Sequence, residues 1–155
     1  MKLKELFESA GTSVADLDID YKGGDFDCSH ILLTSLEGAP SHVDGNFYCN
    51  YDQLMSLEGA PSHVDGNFCC YSNQLTSLEG IHKQIKTIAG AFFATYNPIK
   101  SHVLGLMLIN GITKIGLDNK QVEEILNRHL GKGRAGMLEA QEELIEVELE
   151  EFAQL

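Results

Sequence analysis

Cysteine and histidine side chains, the types that bind zinc, recur in the first half of this sequence. The set comprises Cys28, Cys49, Cys70, His30, His42 and His63. The three cysteines are spaced 21 residues apart, form no CxxC pair and recur in register with apolar residues. That setting is typical of buried thiols that pack as small hydrophobic side chains. We therefore predict that the chain binds no metal and no cofactor.

Two acidic segments contain residue types found in calcium-binding loops. Asp44-Gly45-Asn46 and Asp65-Gly66-Asn67 each combine a carboxylate, a glycine and an amide. Calcium-binding β-rolls repeat glycine and aspartate roughly every nine residues, and that spacing is absent here. Because turns require the same residue types, we interpret both segments as turns.

The sequence lacks the common catalytic motifs GxSxG, HExxH and the Walker loop. Cys69 and the repeated His63 are the one combination that resembles a nucleophile with a base, and chance explains it. We therefore predict no enzymatic activity and no catalytic residues.

A glycine-rich segment, GKGRAG at residues 131–136, precedes the last predicted helix. Lys132 and Arg134 could hold a phosphate at the start of that helix. The other interpretation is a flexible link between two helices, closed by a glycine C-cap.

The chain is organised around the segment LEGAPSHVDGNF, which occurs unchanged at residues 36–47 and again at 57–68, a period of 21 residues. A repeat this short cannot enclose a core, so successive copies must stack against their neighbours. In each copy a turn containing Gly and Pro precedes an alternating stretch, such as residues 66–71, which predicts a strand. The predicted fold class is α/β, a short solenoid with parallel strands.

Aligning the copies by the strand phenylalanine predicts four apolar columns that face the core. They are Phe26, Phe47 and Phe68; Cys28, Cys49 and Cys70; Leu33, Leu54 and Leu75; and Leu36, Leu57 and Leu78. A longer fourth copy follows between Gly80 and Gly90. A fifth strand is predicted within residues 112–117, and the apolar residues 103–109 are predicted to cross the back of the stack as a helix.

Helical caps are predicted at both ends of one domain. Residues 1–16 form the N-terminal cap, with a helix over 2–10, and residues 17–118 form a solenoid of about four to five turns. Residues 119–155 form a C-terminal helical cap.

Two helices are predicted in the C-terminal cap. The first spans residues 120–130, with Asp118 or Asn119 as its N-cap. The second spans 135–152, and its predicted inward face is Leu138, Ile145, Leu149 and Phe152. The acidic last helix is either a solvated cap face or an amphipathic surface that joins a second copy as a homo-oligomer.

The strand pattern resembles the leucine-rich-repeat consensus LxLxxNxL, with phenylalanine and cysteine replacing two leucines. The matching segments are Phe47-x-Cys49-x-x-Asp52-x-Leu54 and Phe68-x-Cys70-x-x-Asn73-x-Leu75. The resemblance implies that the residue at the Asn position turns inward and satisfies backbone groups; the candidates are Asp52, Asn73 and Asn97. Asp52, and Ile31 in the first turn, depart from the consensus.

The repeats also resemble leucine-rich-repeat-like proteins of large tailed bacteriophages, and repeats within one of their rapid-lysis proteins. The resemblance covers about residues 20–155 and includes NPIKSHVLG at 97–105 and QEELI at 141–145. It implies a surface that binds another macromolecule and no catalytic residues.

If Phe47 and Cys49 face the core, the residues that alternate with them face outward. The set predicted to bind a partner is Asp25, Asp27, Asn46, Tyr48, Asn50, Asn67, Cys69, Tyr71, Phe93 and Thr95. Aromatic side chains provide a large contact area at low entropic cost, and repeat proteins commonly bind through such faces.

Charge limits the class of partner. The net charge is −12, and residues 135–155 contain seven acidic residues and no Lys or Arg. This balance disfavours nucleic acid and anionic membranes but permits a basic protein. Charges within residues 1–6, where a secretion signal needs an apolar run, predict a cytoplasmic protein with free thiols.

These features favour a non-enzymatic protein that binds a host or phage protein through the strand face, in the cytoplasm of an infected cell. The resemblance suggests inhibition of a host defence protein or takeover of a host factor. One alternative is a small-ligand binder that sequesters a nucleotide signal, through Lys132 and Arg134 or at a seam between two copies. A minor structural protein of the virion is another.

Overall fold

A computed structural model describes residues 12–17 and 19–155. The described part is an α/β protein with short parallel strands and a C-terminal helix pair. The helix predicted over residues 2–10 lies outside the described residues.

Successive copies of the repeat contribute one strand each to a five-stranded parallel sheet. In spatial order its strands are Phe26–Asp27, Phe47–Tyr48, Phe68–Cys69, Ala91–Phe93 and Lys114–Gly116. Phe47 pairs with Phe26 on one side and with Phe68 on the other, so residues 21 apart lie in register. The strand predicted within residues 112–117 is confirmed as the edge of this sheet.

A second parallel sheet, which was not predicted, lies in the segment that precedes the strands of the first sheet. It consists of His42–Val43, His63–Val64 and Thr87–Ile88, paired in register. Val43 and Val64 are buried, because the inward residue of each copy packs on the same core as the phenylalanines. A two-stranded pair, Thr12–Ser13 with Leu33–Ser35, completes the strands of the described residues.

All four predicted apolar columns are buried. The rings of Phe26, Phe47, Phe68 and Phe92 lie next to one another, with centroid distances of 5.8, 4.9 and 5.5 Å. Burying one such ring contributes about 1.5–3 kcal/mol, so the column contributes strongly to stability. All four cysteines are free, and Cys28, Cys49 and Cys70 are buried as predicted.

An inward ladder of polar side chains joins the copies at the consensus Asn position. The Asn73 side chain donates to the carbonyls of Cys49 (2.8 Å) and Cys70 (3.1 Å) and accepts from the Leu54 N–H (3.0 Å). Asn97 makes the equivalent bonds one copy later. Asn73 and Asn97 therefore satisfy buried backbone groups of their own copy and of the preceding one.

The described helices are α1 (Ile81–Gln84), α2 (Lys120–His129) and α3 (Gly133–Glu146), with 3-10 helices at Val14–Asp16 and Leu104–Leu108. The crossing segment predicted at 103–109 is thus a 3-10 helix. None of the described helices has the length and apolar character needed to cross a membrane.

Helix α2 covers the open edge of the five-stranded sheet. The Asn119 side chain accepts from the Val122 N–H, which confirms Asn119 as the N-cap. The Asn127 side chain bonds both the N–H (2.8 Å) and the carbonyl (2.7 Å) of Ile115. An unpaired strand edge is thereby blocked from pairing with another chain.

Helix α3 buries a different face from the predicted one. Leu138 and Ile145 are 48% and 52% exposed, and the buried residues are Gly136, Met137, Ala140 and Leu144. A Cβ at Gly136 would lie 2.2 Å from the carbonyl oxygen of His129 at the end of α2, so the helices approach through small residues. The prediction was therefore wrong for Leu138 and Ile145, whereas Leu149 and Phe152 are partly buried against the core.

The last helix is also shorter than the predicted 135–152. It ends at Glu146, where Glu148 has a φ of 61° and Leu149 N–H donates to the Leu144 carbonyl (2.8 Å). Together with the bond from Glu148 N–H to the Ile145 carbonyl, this is a Schellman C-cap.

Candidate partner-binding surface

Three of the predicted outward residues join successive copies of the repeat. Asp25 accepts from the Asn46 N–H (2.7 Å), Asn46 from the Asn67 N–H (2.8 Å), and Asn67 from the Ala91 N–H (2.8 Å). A Cβ at Gly66 would lie 2.5 Å from Oδ1 of Asn46, which explains a glycine before each of these strands. We call this set the outer ladder.

Two other predicted outward residues, Asn50 and Cys69, are buried, and their predicted exposure was wrong. Asn50 is 3% exposed, and its side chain accepts from the Tyr71 N–H (3.1 Å). Cys69 is 5% exposed because its register partners, Tyr48 and Phe93, carry much larger side chains on either side.

Burial raises the pKa of the Cys69 thiol to about 11. The thiol is therefore protonated at neutral pH, unlike the thiolate of an activated nucleophile.

The remaining predicted residues stay accessible. Tyr48, Tyr71, Phe93 and Thr95 are partly exposed, and Asp27 is exposed. Burial raises the pKa of the Tyr48 phenol, and the nearby Asp25 carboxylate adds to this. A neutral Tyr48 can therefore donate a hydrogen bond to a partner.

A column of residues with positive φ follows the strands, and sequence reasoning missed it. His30, Tyr51, Ser72 and Tyr96 each lie four residues after the inward phenylalanine of their copy, with φ of 62°, 55°, 57° and 56°. Glycine and asparagine adopt this left-handed conformation most readily, and neither occupies the column. The signal available in the sequence was Tyr51 and Tyr96 at equivalent positions of two copies.

The tyrosines of this column are exposed. Tyr51 is 49% exposed and Tyr96 is 74% exposed. The Tyr51 ring stacks on His30 at 4.4 Å and meets the edge of Tyr71 at 5.3 Å. We call the resulting surface the aromatic face: His30, Tyr48, Tyr51, Tyr71, Phe93 and Tyr96, with Asp27 beside it.

No protein-family model, curated protein sequence or solved structure matches the chain.

The second predicted site lies at the start of α3, where Lys132 is the N-cap residue and Arg134 belongs to the first turn. Both residues are exposed. The Lys132 ammonium lies 3.3 Å from a Glu139 carboxylate oxygen, and hydrogen bonds from Lys132 and His129 lower the pKa of Glu139. The charge of Lys132 is thus already paired with a carboxylate. The geometry therefore favours a connection between two helices over a phosphate-binding site.

Proposed function

We propose that this chain is a leucine-rich-repeat solenoid that binds another protein without catalysis, through the aromatic face. In-register parallel strands and the inward ladder of Asp52, Asn73 and Asn97 support the repeat class. The observation that carries the binding function is the pair of exposed tyrosines, Tyr51 and Tyr96, in the left-handed conformation.

A positive φ costs a bulky residue about 1 kcal/mol or more relative to glycine. Tyr96 is 74% exposed and regains little of this by burial within the chain, and Tyr51 remains 49% exposed beside its contacts with His30 and Tyr71. A partner that covered them would recover it, since a well-packed interface tyrosine contributes about 2 kcal/mol or more to binding. The positions of the rings are thus better explained by an interface than by folding.

The surface chemistry selects a basic protein as the partner. Tyrosine rings attract Arg and Lys through cation–π interactions, and the exposed Asp27 carboxylate adds a negative group beside them. The net charge of −12 also steers a basic protein towards the chain.

The host setting is part of the proposal and is supported by the resemblance of the repeats to phage proteins. In that setting the partner is a host protein, such as a defence protein, in the cytoplasm of the infected cell.

The test replaces the two tyrosines by glycine, which removes the rings and readily keeps the left-handed backbone. A partner protein is captured from infected bacterial cells on the wild-type chain and purified. Titration calorimetry then measures its direct binding to wild type and to the double variant Tyr51→Gly/Tyr96→Gly. We expect an affinity loss of roughly 100-fold or more with no fall in the midpoint of thermal unfolding. Replacing Tyr48, Tyr71 and Phe93 by alanine should likewise abolish binding.

Ser72→Gly is the matched control, because Ser72 belongs to the same column but carries no ring. It should bind like wild type. Unchanged affinity of the double glycine variant would reject the aromatic face as the binding site.

The predicted homo-oligomer through the C-terminal helices stays a prediction. Its candidate contact is the exposed pair Leu138 and Ile145 on α3. Light scattering after size exclusion tests it, since a dimer joined there should become a monomer when both residues are replaced by glutamate.

A further inference from the structure

One histidine and two aspartates from adjacent copies converge on the outer side of the three-stranded sheet. Nε2 of His42 lies 2.9 Å from Oδ2 of Asp65 and 3.8 Å from Oδ1 of Asp44. One ligand atom from each residue lies within 4.8 Å of the other two. All three side chains are exposed, so a hydrated ion reaches them directly.

The backbone holds these three residues in place. His42 pairs with His63 and the buried Val43 with Val64, and the Asp65 N–H donates to the Val43 carbonyl (2.9 Å). The Asp44 N–H donates to the Tyr21 hydroxyl (2.8 Å). The Cα positions are therefore set by the fold, while the side chains remain free to adjust around an ion.

We propose that His42, Asp44 and Asp65 form a binding site for a divalent transition-metal ion of the zinc class. Zinc binds imidazole nitrogen and carboxylate oxygen at about 2.0–2.2 Å, which separates tetrahedral ligands by about 3.3 Å. The observed separations of 2.9 and 3.8 Å from His42 lie on either side of this distance. Small rotations of exposed side chains therefore admit the ion, and water completes the coordination.

The charge and chemistry of the ligands favour this class of ion. Two carboxylates balance the charge of a divalent cation, and an imidazole ligand favours zinc, cobalt or nickel over magnesium or calcium. Among the residues that the structure describes, the ion pairs of Asp44 and Asp65 involve only His42. No lysine or arginine among these residues competes with the metal for the carboxylates.

The repeat makes one such site and not two, although His63 and Asp65 repeat the sequence of His42 and Asp44. In the register of the sheet, the copy after His63 contributes Thr87, and Ala89 follows the strand where an aspartate would be needed. Nδ1 of His63 also bonds the Ser62 hydroxyl at 2.8 Å. The cysteines are buried in the core, so the ligand partners of His42 are aspartates.

The experiment is titration calorimetry with zinc chloride on the full chain, prepared without a histidine tag. Wild type should bind one ion per chain, and Co²⁺ should give a visible absorption band in the same site. His42→Gln and Asp65→Asn should each weaken zinc binding by roughly tenfold or more. His63→Gln, from the identical sequence context, should stay within about twofold of wild type.

Circular dichroism establishes that each variant is folded, and Asp44→Asn replaces any variant that is not. Absence of zinc binding to wild type would overturn the proposal. Undiminished binding by His42→Gln would overturn it as well, and so would an equal loss in His63→Gln.

Discussion

Asp52 and Asn73 occupy the same position in adjacent copies of the repeat, yet they satisfy the backbone to different extents. Asn73 accepts one N–H and donates to two buried carbonyls. One oxygen of Asp52 accepts from the N–H groups of Ile31 (3.0 Å) and Leu33 (3.1 Å), and the other, Oδ2, is buried without a partner.

The difference lies in one donor group. An amide carries both an acceptor and a donor, whereas an ionised carboxylate only accepts. Burial raises the pKa of Asp52 above its usual value of 3.8, and the N–H groups of Leu33 and Ile31 partly oppose this. This position therefore favours a side chain that carries a donor as well as an acceptor.

The largest effect is expected when the carboxylate is placed in the next copy. Asn73→Asp removes the donor to the Cys49 and Cys70 carbonyls and buries a charge, so we expect a loss of about 2–4 kcal/mol in the free energy of unfolding. Urea denaturation at neutral pH measures it. Asn110→Asp is the control because Asn110 is exposed, and equal losses in both variants would contradict the argument.

The reverse exchange should stabilise the chain. Asp52→Asn supplies a donor towards the carbonyls of Cys28 and Cys49, which correspond to those bound by Asn73 after a shift of 21 residues. We expect a gain of about 1 kcal/mol at neutral pH, measured by the same denaturation. A loss of stability would show that Oδ2 of Asp52 is satisfied in solution.

The free energy of unfolding should also depend on pH differently in Asp52→Asn and in wild type. Burial raises the pKa of Asp52 in the folded chain. The contribution of Asp52 to the free energy of unfolding is therefore fully present below its unfolded pKa and is lost as the pH rises through its folded pKa. The stability of Asp52→Asn relative to wild type should therefore grow as the pH rises above about 4. Unfolding measured from about pH 3 to about pH 7 tests this, and a difference that does not change with pH would refute it.

The smallest effect is expected in the outer ladder, which lies closer to solvent. Asn46→Ala removes the acceptor for the Asn67 N–H, and water can replace it in part. We expect a loss of about 0.5–1.5 kcal/mol, below that of Asn73→Asp. If Asn46→Ala lowers the free energy of unfolding more than Asn73→Asp does, the inward ladder is not the dominant polar contact between copies.

Much of the sheet was predictable from residue spacing. Equal advances of 21 residues place Phe26, Phe47 and Phe68 side by side, and each copy must bury the same apolar positions against its neighbours. The start of α2 was likewise predictable to within one residue, at Asp118 or Asn119, because N-capping depends on residues within one helical turn.

The candidate surface was predictable only in part. The alternation of apolar and polar residues predicted that Tyr48, Tyr71 and Phe93 face outward, because successive side chains of a strand point to opposite faces of the sheet. It could not reveal that Asn50 and Cys69 are covered by their neighbours, because that depends on side-chain size in adjacent copies.

By itself, the sequence determined the period, the apolar columns, the parallel strands and the position of α2, because each of these follows from local pattern repeated along the chain. Only the tertiary structure decided which face of α3 is buried, the left-handed placement of Tyr51 and Tyr96, and the meeting of His42 with Asp44 and Asp65. These features depend on the distance between neighbouring backbones and on the bend of each turn. Neither is encoded in the periodicity of the residues.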